Sequence, residues 1–321
     1  MFYLPEDLVG YVLNICLMAL VLGSPLSVWA NRQPVKKVHP LPRRLPRVTD
    51  RMFNLESIKD LGVYTKRLRE GLLDYRNMRR RIRNLVLQND TMTRSTLGRL
   101  DGFVVDRLDI KAPKSKAALK VLIVAGSHAK HGLASTKAAL DYAADLKLDG
   151  KPLEKFNITI VPGLVPSAIA KKSNKNKHGQ DVDTQFTKRG ASGEAQLIQE
   201  LLAREHFDLI LDLHVSNETE EAYVVRGGKE EGGLAKKIIG AAIPANHLGQ
   251  NKKKSGGRTF TGNGRGVANS NNDKSLKNWA YKTTTKYSYK VVVPSAGNTD
   301  KSEETESNNL KKIISQAVKR F

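Results

Sequence analysis

A chain of 321 residues has room for one large α/β domain with appendages, or for two small domains. Its single cysteine, Cys16, excludes a disulfide framework, and beyond the first thirty residues it excludes a thiol nucleophile and a Cys-ligated metal. With 54 Lys and Arg against 32 Asp and Glu the net charge is +22, which favours an anionic partner; aromatics at 6% leave no basic stretch interleaved with base-stacking rings, so nucleic acid is disfavoured.

In chain order, Tyr11 to Leu22 is an apolar stretch too short for a comfortable membrane span, followed by the small-residue pattern Ser27-Val28-Trp29-Ala30. Residues 1–30 read as a signal peptide for a periplasmic or secreted protein. Glu6 and Asp7 precede the apolar run with no Lys or Arg, so an uncleaved membrane anchor is the alternative. Residues 31–50, with Pro34, Pro40, Pro42 and Pro46 among basic residues, read as an extended linker. Residues 51–90 read as a basic amphipathic helix: Leu61, Leu68, Tyr75 and Ile82 recur every seven residues, and Tyr64, Leu72, Met78 and Leu85 fill a second stripe. Arg79, Arg80, Arg81 and Arg83 on and around that helix either meet an acidic surface or form a solvated face.

Residues 91–321 read as one α/β domain with a mostly parallel or mixed central sheet and helices on both faces. Strands are expected at Leu119–Ala125, Ile158–Val161, Phe207–Leu213, Ala222–Val225 and Lys290–Val293. Helices are expected at Ala134–Leu146, Glu194–Arg204 and Leu234–Ala242. A last helix, with Leu310, Ile313, Ile314 and Val318 as its apolar positions, follows the capping-box pattern Asp300-Lys301-Ser302-Glu303. Asn251 to Ser275, rich in Lys, Gly and Asn, reads as a long loop.

The chemistry concentrates in three histidines. His128 and His131 stand in Gly126-Ser127-His128-Ala129-Lys130-His131-Gly132, just past one apolar strand, and His214 ends Leu211-Asp212-Leu213-His214 on another. Strands that deliver imidazoles to a common rim can hold one zinc ion on three ligands, with the fourth position left for water. A surface His-x-x-His pair and an unrelated strand-end histidine are the alternative.

The order of these parts resembles the zinc carboxypeptidase family, the funnelins, with their relatives among bacterial murein-peptide carboxypeptidases and aspartoacylase-like deacylases. The resemblance runs from Arg94-Ser95-Thr96-Leu97-Gly98-Arg99 through Gly179-Gln180-Asp181-Val182-Asp183-Thr184-Gln185-Phe186 to the strand ending at His214. It implies His128 and His214 as zinc ligands, with His131 where the family has a glutamate ligand. It implies Asp181 as the carboxylate that orients a ligand histidine. Asp212 either orients His214 in the same way or caps a neighbouring loop.

The departures from the family are equally specific. Asp183-Thr184 replaces the Asn-Arg that grips a substrate carboxylate, and Asn174 stands at the oxyanion-polarising Arg, with Lys172 and Lys175 as neighbouring cations. The general-base glutamate maps to valine in Tyr289-Lys290-Val291-Val292-Val293-Pro294, leaving Glu218, Glu220 and Glu221 as candidates for a displaced base. The resemblance therefore implies a zinc-dependent hydrolase cleaving an amide bond in a peptide, for instance one derived from cell wall. The alternative is a non-catalytic relative that binds an anionic wall component or a protein partner, and a membrane partner follows only if the first segment stays uncleaved.

Overall fold

The computed structural model describes residues 55–112, 118–129, 133–149, 155–187, 190–228, 233–248, 252–255, 258–262, 266–269, 274–295 and 300–321. The expected signal segment or anchor and the linker lie outside them.

The first described element is the long helix α1, Leu55–Leu87. It buries Gly71, Tyr75, Met78, Ile82 and Leu85, an inward stripe with alternating steps of four and three residues, as the heptad pattern requires. A hairpin of β1 (Met92–Leu100) and β2 (Phe103–Ile110) follows. Then come β3 (Leu119–Val124), α2 (Ala134–Asp149), β4 (Phe156–Val161), the short α3 (Pro166–Lys171), α4 (Gly193–Arg204) and β5 (Leu209–Ser216). The chain continues through β6 (Tyr223–Arg226), α5 (Leu234–Ala242), β7 (Lys252–Ser255), β8 (Arg258–Gly262) and β9 (Val267–Asn269). It closes with α6 (Leu276–Thr283), β10 (Tyr287–Pro294) and α7 (Asp300–Arg320).

The strands form one ten-stranded mixed sheet in the order β1-β2-β4-β3-β5-β10-β6-β9-β8-β7. Its centre, β4-β3-β5-β10, is parallel, and the flanking pairs β2-β4 and β10-β6 are antiparallel. Parallel strands need cover on both faces, and the apolar runs supply it: Val121 to Val124 are all fully buried. On one face Val121, Ile123, Leu209, Leu211, Tyr289 and Val291 pack against α1, α2, α5 and α7. On the other, Leu122, Val124 and Ile210 meet residues of α4 and α6. Each fully buried aliphatic side chain contributes about 1.5–3 kcal/mol.

The topology also locates the site. From β3 the chain steps to β4 on one side and later to β5 on the other, so the strand order reverses between β3 and β5. In open α/β sheets the crevice beyond the carboxyl ends of such strands is where ligands bind.

Three features differ from the sequence expectations. The β1–β2 hairpin is an added element whose polar alternation hides it, and β7, β8 and β9 occupy stretches of the expected loop 251–275. Helix α7 begins at Asp300 itself, so Glu303 lies inside its first turn and its carboxylate accepts from the Leu133 amide at 3.1 Å.

Candidate metal centre

Beyond β3 the chain turns at Gly126, whose φ of +71° favours glycine; a Cβ there would stand 2.7 Å from the Gly163 Cα. The turn is tied down by the Leu164 amide on the Ala125 carbonyl, the Val165 amide on the Gly126 carbonyl and the Thr136 hydroxyl on the Pro162 carbonyl. Two residues on, His128 emerges at the rim, and the Ala129 amide donates to the Ser173 carbonyl at 2.9 Å, fastening the rim to the next loop. That loop is organised by buried Asn176: its side-chain oxygen accepts from the amides of His178 and Gln180, and its amide group donates to Glu194 at 3.0 Å. Asp181 then caps a single 3-10 turn, Val182–Thr184, by accepting from the Asp183 amide.

The same Asp181 Oδ1 lies 2.9 Å from His128 Nε2. An ionised carboxylate only accepts, so the His128 Nε2–H donates to it, which leaves Nδ1 as the ring atom that could meet a metal. Burial pushes the Asp181 carboxyl up, but the hydrogen bond from His128 outweighs it and holds the group below its ordinary value.

His214 lies in β5, two residues before that strand ends, on the same sheet face as Asp212. The His128 and His214 rings stand edge to face with centroids 5.2 Å apart. Two imidazoles bound to one tetrahedral zinc at about 2.0–2.1 Å would place their centroids about 5 Å apart. His214 Nε2 lies 2.9 Å from Asp212 Oδ1 and 4.0 Å from Asp183 Oδ1. Neither approach is aligned as a hydrogen bond, and His214 Nε2 and Asp183 Oδ1 are both buried without a hydrogen-bond partner. Ligand atoms of Asp183, Asp212 and His214 all lie within 4.8 Å of one another, a grouping that could hold a metal and that does not include His128.

The cation already present is Lys290 of β10, whose Nζ lies 2.6 Å from Asp183 Oδ2, both side chains being buried. Burial pushes the Asp183 carboxyl up, but the Lys290 ammonium, then His214 and His128, hold it well below the usual carboxylate range. For Lys290 burial works against the charge, and Asp183 more than reverses it, so the ammonium persists. Three carboxylates, Asp181, Asp183 and Asp212, thus meet one ammonium, Lys290, and two imidazoles. A dication beside His214, among Asp183 and Asp212, would meet the two partnerless atoms, so these residues fit a metal ion.

The remaining sequence candidates are placed as follows. His131 lies outside the described residues. Asp183, expected where the family grips a substrate carboxylate, is buried and paired with Lys290. Thr184 donates its hydroxyl to the Asp181 carbonyl at 2.8 Å, serving the turn. Lys172 is engaged by Glu70 and Asp74 of α1, at 3.2 and 3.6 Å. Lys175 is exposed and Asn174 half-buried in the loop beyond Ser173. Glu218 and Glu220 are exposed and Glu221 half-buried in the turn after β5, where the Ser216 and Thr219 hydroxyls accept from the Glu218 and Glu221 amides.

On β10, Tyr289, Val291 and Val293 face the core shared with α2 and α7. Lys290 and Val292 take the site face, with Val292 in register with His214 and fully buried beside Tyr223. Of the two valines, Val292 is therefore the one on the face of His214, and Val293 is not. Lys290 is the residue that sequence reasoning passed over, although a charged residue within an otherwise apolar strand was a usable signal.

No sequence-family description and no characterised protein matches the chain. Solved structures do. A proposed metallopeptidase of Shewanella denitrificans aligns over 75% of this chain and 88% of its own, with TM-score 0.60 and 19% identity. A metallo-carboxypeptidase of Burkholderia cenocepacia aligns over 74% and 67%, with TM-score 0.60 and 14% identity. Carboxypeptidase A of Helicoverpa armigera aligns over 74% and 71%, with TM-score 0.55 and 13% identity. At 13–19% identity such likeness speaks to the fold alone, and the fold of this chain is that of the metallo-carboxypeptidases.

Proposed function

We propose that the chain binds one zinc ion between His128 and His214 and uses it to hold a peptide, with little or no hydrolysis. The observation that carries this reading is Val292, buried in register with His214 on the site face, where hydrolysis needs a proton acceptor. When bound, the metal would polarise a peptide carbonyl and acidify a water. Asp181 fixes the His128 tautomer, and Asp183 and Asp212 back His214 with negative charge. Valine accepts no proton, and general-base assistance is typically worth about 100 to 10,000-fold. The +22 charge favours an acidic peptide, such as a wall-derived one.

A second reading, zinc-dependent hydrolysis of an amide bond, is favoured by the His128–Asp181 pair, since such an orienting contact raises the basicity of a ligand histidine. Calorimetry with wall peptides, with and without zinc, and hydrolysis assays on the unmodified protein and on Val292→Glu separate the two. The first reading expects zinc-dependent binding, weak turnover and a gain of at least about tenfold in Val292→Glu. Brisk turnover by the unmodified protein, lost in His214→Ala, would establish the second reading instead.

A further inference from the structure

The outer face of α1 is a basic stripe that the domain does not use. Lys66, Arg69, Arg76, Arg80 and Arg83 are exposed, and none forms an ion pair with a described residue. Leu73 and Leu87, 55% and 82% exposed, fall on the same line. Steps from Lys66 to Leu87 alternate between three and four residues, so all seven side chains lie along one line on the helix. The stripe runs about 30 Å. Arg79 and Arg81 of the helix are committed inward, to Asp106 and Asp141.

Like charges three or four residues apart oppose helix formation. Arg76, Arg80 and Arg83 accept that repulsion with no acid on the stripe, so an external anionic surface is the compensation the helix lacks. Five cations make a second copy of the chain a poor occupant. The stripe carries no aromatic ring to stack on bases, whereas its two exposed leucines suit an apolar layer under anionic headgroups. Upstream, residues 31–50 add six Lys or Arg against one Asp, behind the apolar run Tyr11 to Leu22. Basic runs next to an apolar segment are how anionic leaflets are recognised.

We propose that the Lys66–Leu87 stripe of α1 lies flat on a membrane surface rich in anionic lipid, with Leu73 and Leu87 entering the headgroup layer. This is independent of the metal centre. The test uses the full chain and vesicles of phosphatidylcholine with or without about 30% phosphatidylglycerol. Each surface cation contributes about fivefold to partitioning, so Arg76→Gln/Arg80→Gln/Arg83→Gln should weaken binding to anionic vesicles about 100-fold at low salt. To separate this from insertion of the apolar run, a fluorophore is placed on Leu87→Cys in a Cys16→Ser background. Its emission should shift to the blue and be quenched by brominated lipid on anionic vesicles only. The proposal is overturned by a triple variant that binds as the unmodified chain does, or by a Leu87 probe that stays in water. It is equally overturned if duplex DNA or acidic wall polymer captures the protein from vesicles with at least about tenfold preference at physiological salt.

Discussion

Replacing Lys290 by methionine removes the ammonium 2.6 Å from Asp183 and leaves a buried carboxylate whose Oδ1 already lacks a hydrogen-bond partner. Breaking a buried pair by deleting one partner costs about 3–5 kcal/mol, because the surviving charge must be desolvated alone or take up a proton. Methionine nearly preserves the volume, so packing contributes little of that. Denaturant unfolding in the presence of a chelator should show the full loss. The double variant Lys290→Met/Asp183→Asn should recover most of it, since a neutral pair is cheap to bury. Added zinc should rescue the single variant more than it stabilises the unmodified chain, because removing a positive charge beside the centre strengthens its hold on a dication by at least about tenfold. A loss under about 1 kcal/mol in chelator would refute the reasoning, as would a double variant no better than the single one.

Two further outcomes follow from the packing around α1. Asp141 joins α1, α2 and α7 through Arg81, Lys137 and Ser307. Burial pushes its carboxyl up, but the hydrogen bonds from Arg81 and Lys137 hold it below its ordinary value of 3.8. A lowered native value means stability that is fully present well above the ordinary value of 3.8 and lost as pH falls through the folded-state value, so Asp141→Asn should cost about 1–3 kcal/mol at pH 7 and flatten the acid limb, as read by thermal melts across pH. Gly71→Ala would gain about 1 kcal/mol of helix propensity, yet its Cβ would stand 2.2 Å from the Ala170 carbonyl oxygen of α3, so a net loss of about 1–3 kcal/mol is expected in the same melts. Stabilisation by this change would show that α1 and α3 do not approach so closely.

The sheet centre was legible because buried parallel strands read as unbroken apolar runs, and β3 and β5 carry that signature. The β1–β2 hairpin was hidden because its charges are satisfied at a distance: Asp106 of β2 is buried between Arg79 of α1 and Arg94 of β1. No local pattern announces such pairs. That His128 and His214 lie near each other was legible because one follows and the other ends an apolar strand, and topology brings those two strands side by side; His131 lies outside the described residues. Asp183 and Lys290 could not be placed, since they are 107 residues apart and each looks out of place until the other is seen. Which valine of β10 faces the site is likewise a matter of register with β5, which the one-dimensional pattern leaves open by one residue.

The central claim is that His128 and His214 share one metal ion, with Asp181 held to His128 and with Asp183 and Asp212 beside His214. The most direct test is zinc titration of the metal-stripped full chain by calorimetry with elemental analysis, alongside His214→Ala and Asp181→Asn. The account predicts about one zinc per unmodified chain, none retained by His214→Ala, and affinity weakened about 10–100-fold in Asp181→Asn. A folded chain that takes up no zinc after reconstitution, or a His214→Ala variant that keeps its full affinity, would contradict it.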